Sequence, residues 1–162
     1  MNSVSRLKLT VLTLLVCFLA ASCGQSSRKG EALVRRAYAG DIVGVKRLIH
    51  DGADVNYRTK RSLRGDTALT AAVRQRNTAV VDYLLQSGAD PNVGDSQDFS
   101  PLYLALASPG DAGSIVKSLI LAGANTDSVK ATAQQLGDND PNKSAYVEAV
   151  REKTQNRIRV KP

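Results

Sequence analysis

The side chains with chemistry to offer are few, and their spacing argues against most kinds of catalysis. Cysteine occurs twice, as Cys17 and Cys23, and histidine once, as His50. A metal site or a nucleophile–base pair needs a second ligand or a matched partner, and His50 has neither a second histidine nor a nearby thiol. No Gly-rich phosphate loop and no nucleophile elbow is present. Asp54, Asn56, Asp90 and Asn92 recur at matched positions. Two such carboxylates could form a hydrolytic dyad, but Asx side chains also bond their own backbone in turns. Recurrence inside a repeated phrase favours the turn. The expectation is no catalytic residue, no metal ligand and no cofactor.

That phrase organises the chain. It reads Leu48-Ile49-His50-Asp51-Gly52-Ala53-Asp54-Val55-Asn56, then Leu84-Leu85-Gln86-Ser87-Gly88-Ala89-Asp90-Pro91-Asn92, then more loosely Leu119-Ile120-Leu121-Ala122-Gly123-Ala124-Asn125-Thr126-Asp127. Gly52, Gly88 and Gly123 stand 36 and 35 residues apart. A period of that size predicts a solenoid in which no unit buries its apolar face alone. Apolar residues before each glycine fall at helical spacing: Val45, Leu48 and Ile49 in a helix expected over 42–51, with Asp41 available to cap it. Leu33, Val34 and Ala37, with Tyr38 as a further candidate, give the preceding helix, expected over 31–40, its apolar side.

The N-terminus reads differently. Met1 to Lys8 carries Arg6 and Lys8 and no acid, and Leu9 to Ala21 is a nearly unbroken apolar run. Its thirteen residues fall short of the roughly 20 that span a bilayer. A basic start, a short apolar stretch and small residues after it predict a secretory signal peptide over 1–22. Leu19-Ala20-Ala21-Ser22-Cys23 resembles the lipobox of bacterial lipoproteins, although Ala20 stands where Leu is commoner. The resemblance implies cleavage before Cys23, lipid attachment at Cys23 and a membrane anchor. Gly24, rather than Asp, follows the cysteine, which implies the outer membrane, facing the periplasm. Cys17 would leave with the signal, so the mature domain would be held by its packed core without disulfides.

Residues 23–30 (Cys-Gly-Gln-Ser-Ser-Arg-Lys-Gly) are polar and Gly/Ser-rich, as a flexible tether is. The whole chain has a formal charge of +7. Removing Arg6 and Lys8 from its 22 basic residues leaves 20 against 15 acidic ones, a balance of +5. That excess favours acidic partners through steering. It is too small to argue for nucleic acid, and an export signal argues against it.

Between tether and tail the chain resembles the ankyrin-repeat family. Gly65-Asp66-Thr67-Ala68-Leu69 stands where the family has Gly-x-Thr-Pro-Leu, followed at the family's intervals by Ala71-Ala72-Val73, Val80-Val81, Leu84-Leu85 and Gly88-Ala89-Asp90-Pro91-Asn92. Thr70 replaces the usual His and Arg76 the usual Gly. Ser100-Pro101-Leu102-Tyr103-Leu104-Ala105 opens the next unit, and Thr132 to Val150 forms a degenerate one. The resemblance implies an all-α solenoid of about three helix-turn-helix repeats plus a polar C-terminal cap, with short β-hairpin-like loops. Its domain spans 31–153, in units of about 31–64, 65–97, 98–127 and 128–153, and 154–162 is expected to be a basic disordered tail.

In that family, partners dock on the projecting loops and the exposed face of the first helices. The matching positions here are Arg58, Asp66, Arg74 and Gln75, then Ser96, Gln97, Phe99, Ala107 and Ser108. The connection from Tyr57 to Asp66 is about three residues longer than the family's and adds Lys60, Arg61 and Arg64. A basic loop beside an exposed Phe99 would suit an acidic protein partner, because exposed aromatics anchor interfaces; the ring could equally fold back on Tyr103 or Leu102. The expected function is a lipid-anchored, monomeric protein-binding module of the bacterial envelope that holds or inhibits a periplasmic enzyme. The alternative is an envelope structural component binding anionic lipid or wall polymer through the basic loop and tail.

Overall fold

A computed structural model describes residues 26–60 and 65–159. Its helices come in antiparallel pairs. The first pair is α1 (26–38) and α2 (Ile42–His50); the second is α3 (Ala68–Arg74) and α4 (Thr78–Gln86). The third is α5 (Pro101–Ala107) and α6 (Gly113–Leu121). After a 3-10 turn, Asp127–Val129, come α7 (Lys130–Gln135) and α8 (Pro141–Arg159). First helices stack on first helices, α3 on α5 on α7, and second on second, α2 to α8. One core runs through the stack. It includes Leu33, Val45, Leu69, Leu84, Leu102, Ile115, Leu119 and Ala149, all at most 1% exposed. These helices are too short to persist alone, so the core sustains them, at roughly 1.5–3 kcal/mol per large buried side chain.

Local chemistry fixes the ends of each helix. Side chains of Asp41, Asn77 and Ser100 accept the N–H groups of Gly44, Val80 and Tyr103 at 2.8, 3.1 and 3.2 Å. At α3, Thr67 and Thr70 cap reciprocally. Thr67 Oγ1 accepts from Thr70 N at 3.1 Å, and Thr67 N donates to Thr70 Oγ1 at 2.8 Å. Thr70, in the family's His position, therefore completes a capping box. In the repeated phrase Gly88 (φ 88°) ends α4 in the left-handed region, and Gly52 and Gly123 do the same for α2 and α6.

The polar part of the phrase stitches unit to unit. Asp54 and Asp90 accept the N–H groups of Asn56 and Asn92, each an Asx turn. Asn56 then reaches to the next copy. Its Oδ1 accepts Asp90 N–H at 2.8 Å and its Nδ2 donates to Gly88 O at 3.3 Å. Asn92 repeats this with Asn125 N–H at 2.8 Å and Gly123 O at 3.5 Å. A lysine stands at each end of this ladder. Lys29 donates to Asp51 O at 2.7 Å, and Lys153 to Ala124 O at 3.1 Å.

Three expectations are corrected here. Residues 26–30 are helical rather than flexible tether, because Gly30 is buried under the Tyr57 ring. A Cβ at Gly30 would lie 2.2 Å from Tyr57 Cγ, so only glycine admits that contact. Second, α8 continues to Arg159, so 154–159 belongs to a helix rather than a disordered tail; Thr154 Oγ1 donates to Val150 O at 2.8 Å within it. Third, no strand occurs among the described residues. The projecting loops are closed instead by isolated backbone bonds, Thr59 N–H to Asp66 O at 3.1 Å and Asp95 N–H to Phe99 O at 3.2 Å.

Candidate interaction surface

Two loops join the helix pairs: a first finger between α2 and α3, described up to Lys60 and again from Gly65, and a second between α4 and α5. Both are built on a residue three positions past the stitching asparagine, Thr59 after Asn56 and Asp95 after Asn92. Asp95 is fully buried. Its Oδ1 accepts the N–H groups of Gln97 at 2.8 Å and Phe99 at 3.1 Å, which folds the second finger around one carboxylate. Its Oδ2 takes the Arg74 guanidinium.

Arg74, at the end of α3, also donates from Nε to Asp66 Oδ1 at 3.3 Å. Asp66 is 2% exposed and accepts from Thr70 Oγ1 at 3.1 Å through the same oxygen. One guanidinium thus neutralises two buried carboxylates, the arrangement a buried ion group requires. Arg58 makes a second tie. It donates to Asp95 O and pairs with Asp98 Oδ1 at 3.5 Å, from the first finger to the second. The fingers are clasped together, and a clasped surface loses little entropy when a partner arrives.

The clasp changes the standing of the residues expected to bind. Asp66 is buried within it, and Arg74, with 21% of its side chain exposed, is committed to its two carboxylates, so neither is a freely open docking position. Arg58 is shared between the clasp and solvent, with 42% of its side chain exposed. Lys60, Gln75, Ser96, Gln97 and Ala107 lie at the surface. Ser108 is half-buried, and its hydroxyl donates to Leu104 O at 2.6 Å at the end of α5. Phe99 adopts both expected dispositions: it is 36% exposed, and its ring stacks on Tyr103 with centroids 4.7 Å apart and planes at 19°. The pair forms one aromatic platform at the base of the second finger. Arg61, Arg64 and Cys23, the last expected from sequence to carry lipid, lie outside the described residues.

Sequence reasoning missed Asp95, the centre of the second finger. Its only signal was position, since it matches Thr59 one unit earlier. Away from the fingers, Asp41 titrates below the ordinary aspartate range, first through the Gly44 N–H it accepts and then through Arg36 at 2.8 Å. Asp138 is lowered by the hydrogen bond and charge of Lys143. Burial, and the nearby charge of Asp127, push the Tyr146 phenol up.

The stack of helical hairpins joined by asparagine-stitched turns defines a helical-repeat solenoid. A profile of the family described as "Ankyrin repeats (3 copies)" matches residues 33–130, more than half the chain, and the chain belongs to that family. The chain is similar to the mitochondrial disaggregase of Bos taurus, 48% identical over 77 residues that cover 48% of this chain and 11% of that one. It is 35% identical to ankyrin repeat domain-containing protein 40 of Mus musculus over 80 residues, 49% of this chain and 22% of that one. It is 38% identical to the L-asparaginase of Dirofilaria immitis over 77 residues, 48% of this chain and 12% of that one. The chain thus spans between about a tenth and a fifth of the length of these relatives. Ankyrin repeats are protein-interaction scaffolds, and the likeness to all three lies within about half of this chain.

Proposed function

We propose that this is a lipid-anchored ankyrin module of the bacterial envelope that binds a protein partner and holds or inhibits it, with no reaction of its own. The observation carrying the reading is the clasp. Arg58 and Arg74 fix the two fingers against each other and leave Lys60, Gln97 and the Phe99–Tyr103 platform on the surface. A rigid aromatic anchor beside exposed cations suits a partner that offers an apolar side chain flanked by acids. Inhibition of a periplasmic enzyme, in the manner of an immunity protein, fits a surface organised before it binds.

Anchoring rests on the lipobox resemblance at Cys23. Because α1 is already formed at Ser26, only Gly24 and Gln25 separate it from that cysteine. At roughly 3.3–3.6 Å per residue, lipid at Cys23 would hold the N-terminal unit within about 10 Å of the headgroups.

The test is affinity capture from a bacterial envelope extract with the wild-type domain, alongside Phe99→Ala and Lys60→Glu variants. A saturable partner lost with Phe99→Ala, and weakened by Lys60→Glu, supports the reading. Binding to anionic vesicles or wall polymer that falls smoothly with salt and ignores Phe99 would replace it with an envelope structural role. Metabolic labelling with a fatty-acid probe, lost in Cys23→Ser, tests the anchor separately.

A further inference from the structure

We propose that the slot between α7 and α8, on the outer face of the last described unit, docks a single amphipathic helix of a partner protein. This surface lies off the fingers and is independent of the partner they take. The slot is a cavity of about 320 Å³ whose apolar floor comes from Ala133 on α7 and from Tyr146, Val147 and Val150 on α8. Lys143, Tyr146, Val147 and Val150 follow i, i+3, i+4, i+7 spacing and so share one helical face. Val147 is 48% exposed there. In each inner unit the corresponding space is filled by the next hairpin: α5 and α6 cover α3 and α4, and α7 and α8 cover α5 and α6. The slot is thus the continuation of an interface the molecule already builds three times, and no element among the described residues covers it.

The polar edge of the same end decides what can cover it. Another repeat, from a second copy of this chain, would need the asparagine stitch. At the stitching position of Asn56 and Asn92 this end carries Asp127, a carboxylate with no N–H for the next glycine carbonyl. Lys153 already occupies Ala124 O, at 3.1 Å. The edge that would receive a repeat is closed while the apolar slot stays open. A lone helix bonds its own backbone and needs no ladder, so it fits what remains, as helices fit grooves elsewhere. Of the charged groups lining the slot, Lys143 is tied to Asp138 Oδ1 at 2.7 Å and Leu136 O at 3.0 Å. Asp127 lies beside Tyr146, and Lys130 is exposed. The partner helix therefore carries an acid opposite Lys130.

The test uses the full chain and a fluorescein-labelled fourteen-residue helical peptide (about four turns). The peptide bears leucines at i, i+3, i+4, i+7 and flanking glutamates. Two controls accompany it, one scrambled and one with flanking lysines. Fluorescence anisotropy should give saturable binding of the patterned peptide, at least about tenfold tighter than the scrambled one. Val147→Asp, at an exposed position and with its fold checked by circular dichroism, should lose about tenfold. Lys130→Glu should weaken the glutamate-flanked peptide and spare the lysine-flanked one. No binding, equal binding of the scrambled peptide, or indifference to Val147→Asp would overturn the proposal. So would a self-association in sedimentation that Val147→Asp abolishes, which would give the slot to a second copy.

Discussion

Arg74 and Asp95 meet across 21 residues of sequence, the guanidinium at the end of α3 donating into a carboxylate that is fully buried at the base of the second finger. The same carboxylate holds the N–H groups of Gln97 and Phe99. Removing it leaves two loop amides and part of a guanidinium without acceptors. Asp95→Ala is expected to lower the unfolding free energy by about 3–5 kcal/mol, the usual cost of stripping one partner from a buried ion group. Urea denaturation gives the value directly. A loss below about 1 kcal/mol would mean that the second finger does not depend on this carboxylate.

Gly30 makes the second test. With Tyr57 Cγ 2.2 Å from where a Cβ would sit, Gly30→Ala forces the ring out or bends α1. Overpacking of this kind costs about 1–3 kcal/mol. Pairing it with Tyr57→Ala should recover part of the loss, because the two changes act on one contact. Strict additivity of the single variants in thermal melts would show that the helix does not lean on the ring.

The core register offers a plainer check. Leu69 and Leu84 are at most 1% exposed, in α3 and α4. Leu69→Ala and Leu84→Ala should each cost about 2–5 kcal/mol. A melt unchanged by either would contradict the pairing of these helices.

What could be read from sequence follows from what repeats. The phrase at Gly52, Gly88 and Gly123 announced the period, the helix stops and the turns, because backbone demands recur wherever a unit recurs. Thr67 and Leu69 were legible for the same reason. The fingers were not, since their closure depends on contacts far apart in the chain. Asp66 and Arg74 look like surface charges in sequence, and only the approach of Asp95 commits them to a shared ion group. Gly30 looked like linker because its composition is a linker's; its packing is set by Tyr57, 27 residues away. Asn56 and Asn92 were legible as turn formers, but their reach into the next copy needs the stack to exist first.

Arg76 carries a strain that sequence comparison with the family anticipates. It stands where the family has glycine and adopts φ 53°, a left-handed conformation that costs an L-residue roughly 1–2 kcal/mol. Its guanidinium reaches over the turn at Gly110, where a Cβ would lie 2.5 Å from Nη1. Arg76→Gly removes the strain and that packing together, while adding freedom to the unfolded chain. The net expectation is a gain of about 0.5–1 kcal/mol. A loss on guanidinium titration would mean that the packing over Gly110 outweighs the backbone.

Asp41 ties the N-terminal unit to pH. Its carboxylate accepts the Gly44 N–H at the start of α2 and the Arg36 guanidinium, and both favour the charged form, so its folded pKa lies below its unfolded one. The unfolded chain therefore binds this proton more readily than the folded one as the solution is acidified. The contribution to stability is fully present above the unfolded pKa and is lost as pH falls through the folded value. The expected record is a carboxyl resonance of Asp41 that titrates at lower pH than those of exposed aspartates, with the α2 amides near Gly44 shifting in step. Asp41→Asn keeps an oxygen to cap the helix but has no charge to lose. It should flatten the acid limb of the stability curve while leaving α2 in place. An unchanged limb would assign the acid sensitivity of the molecule to other carboxylates.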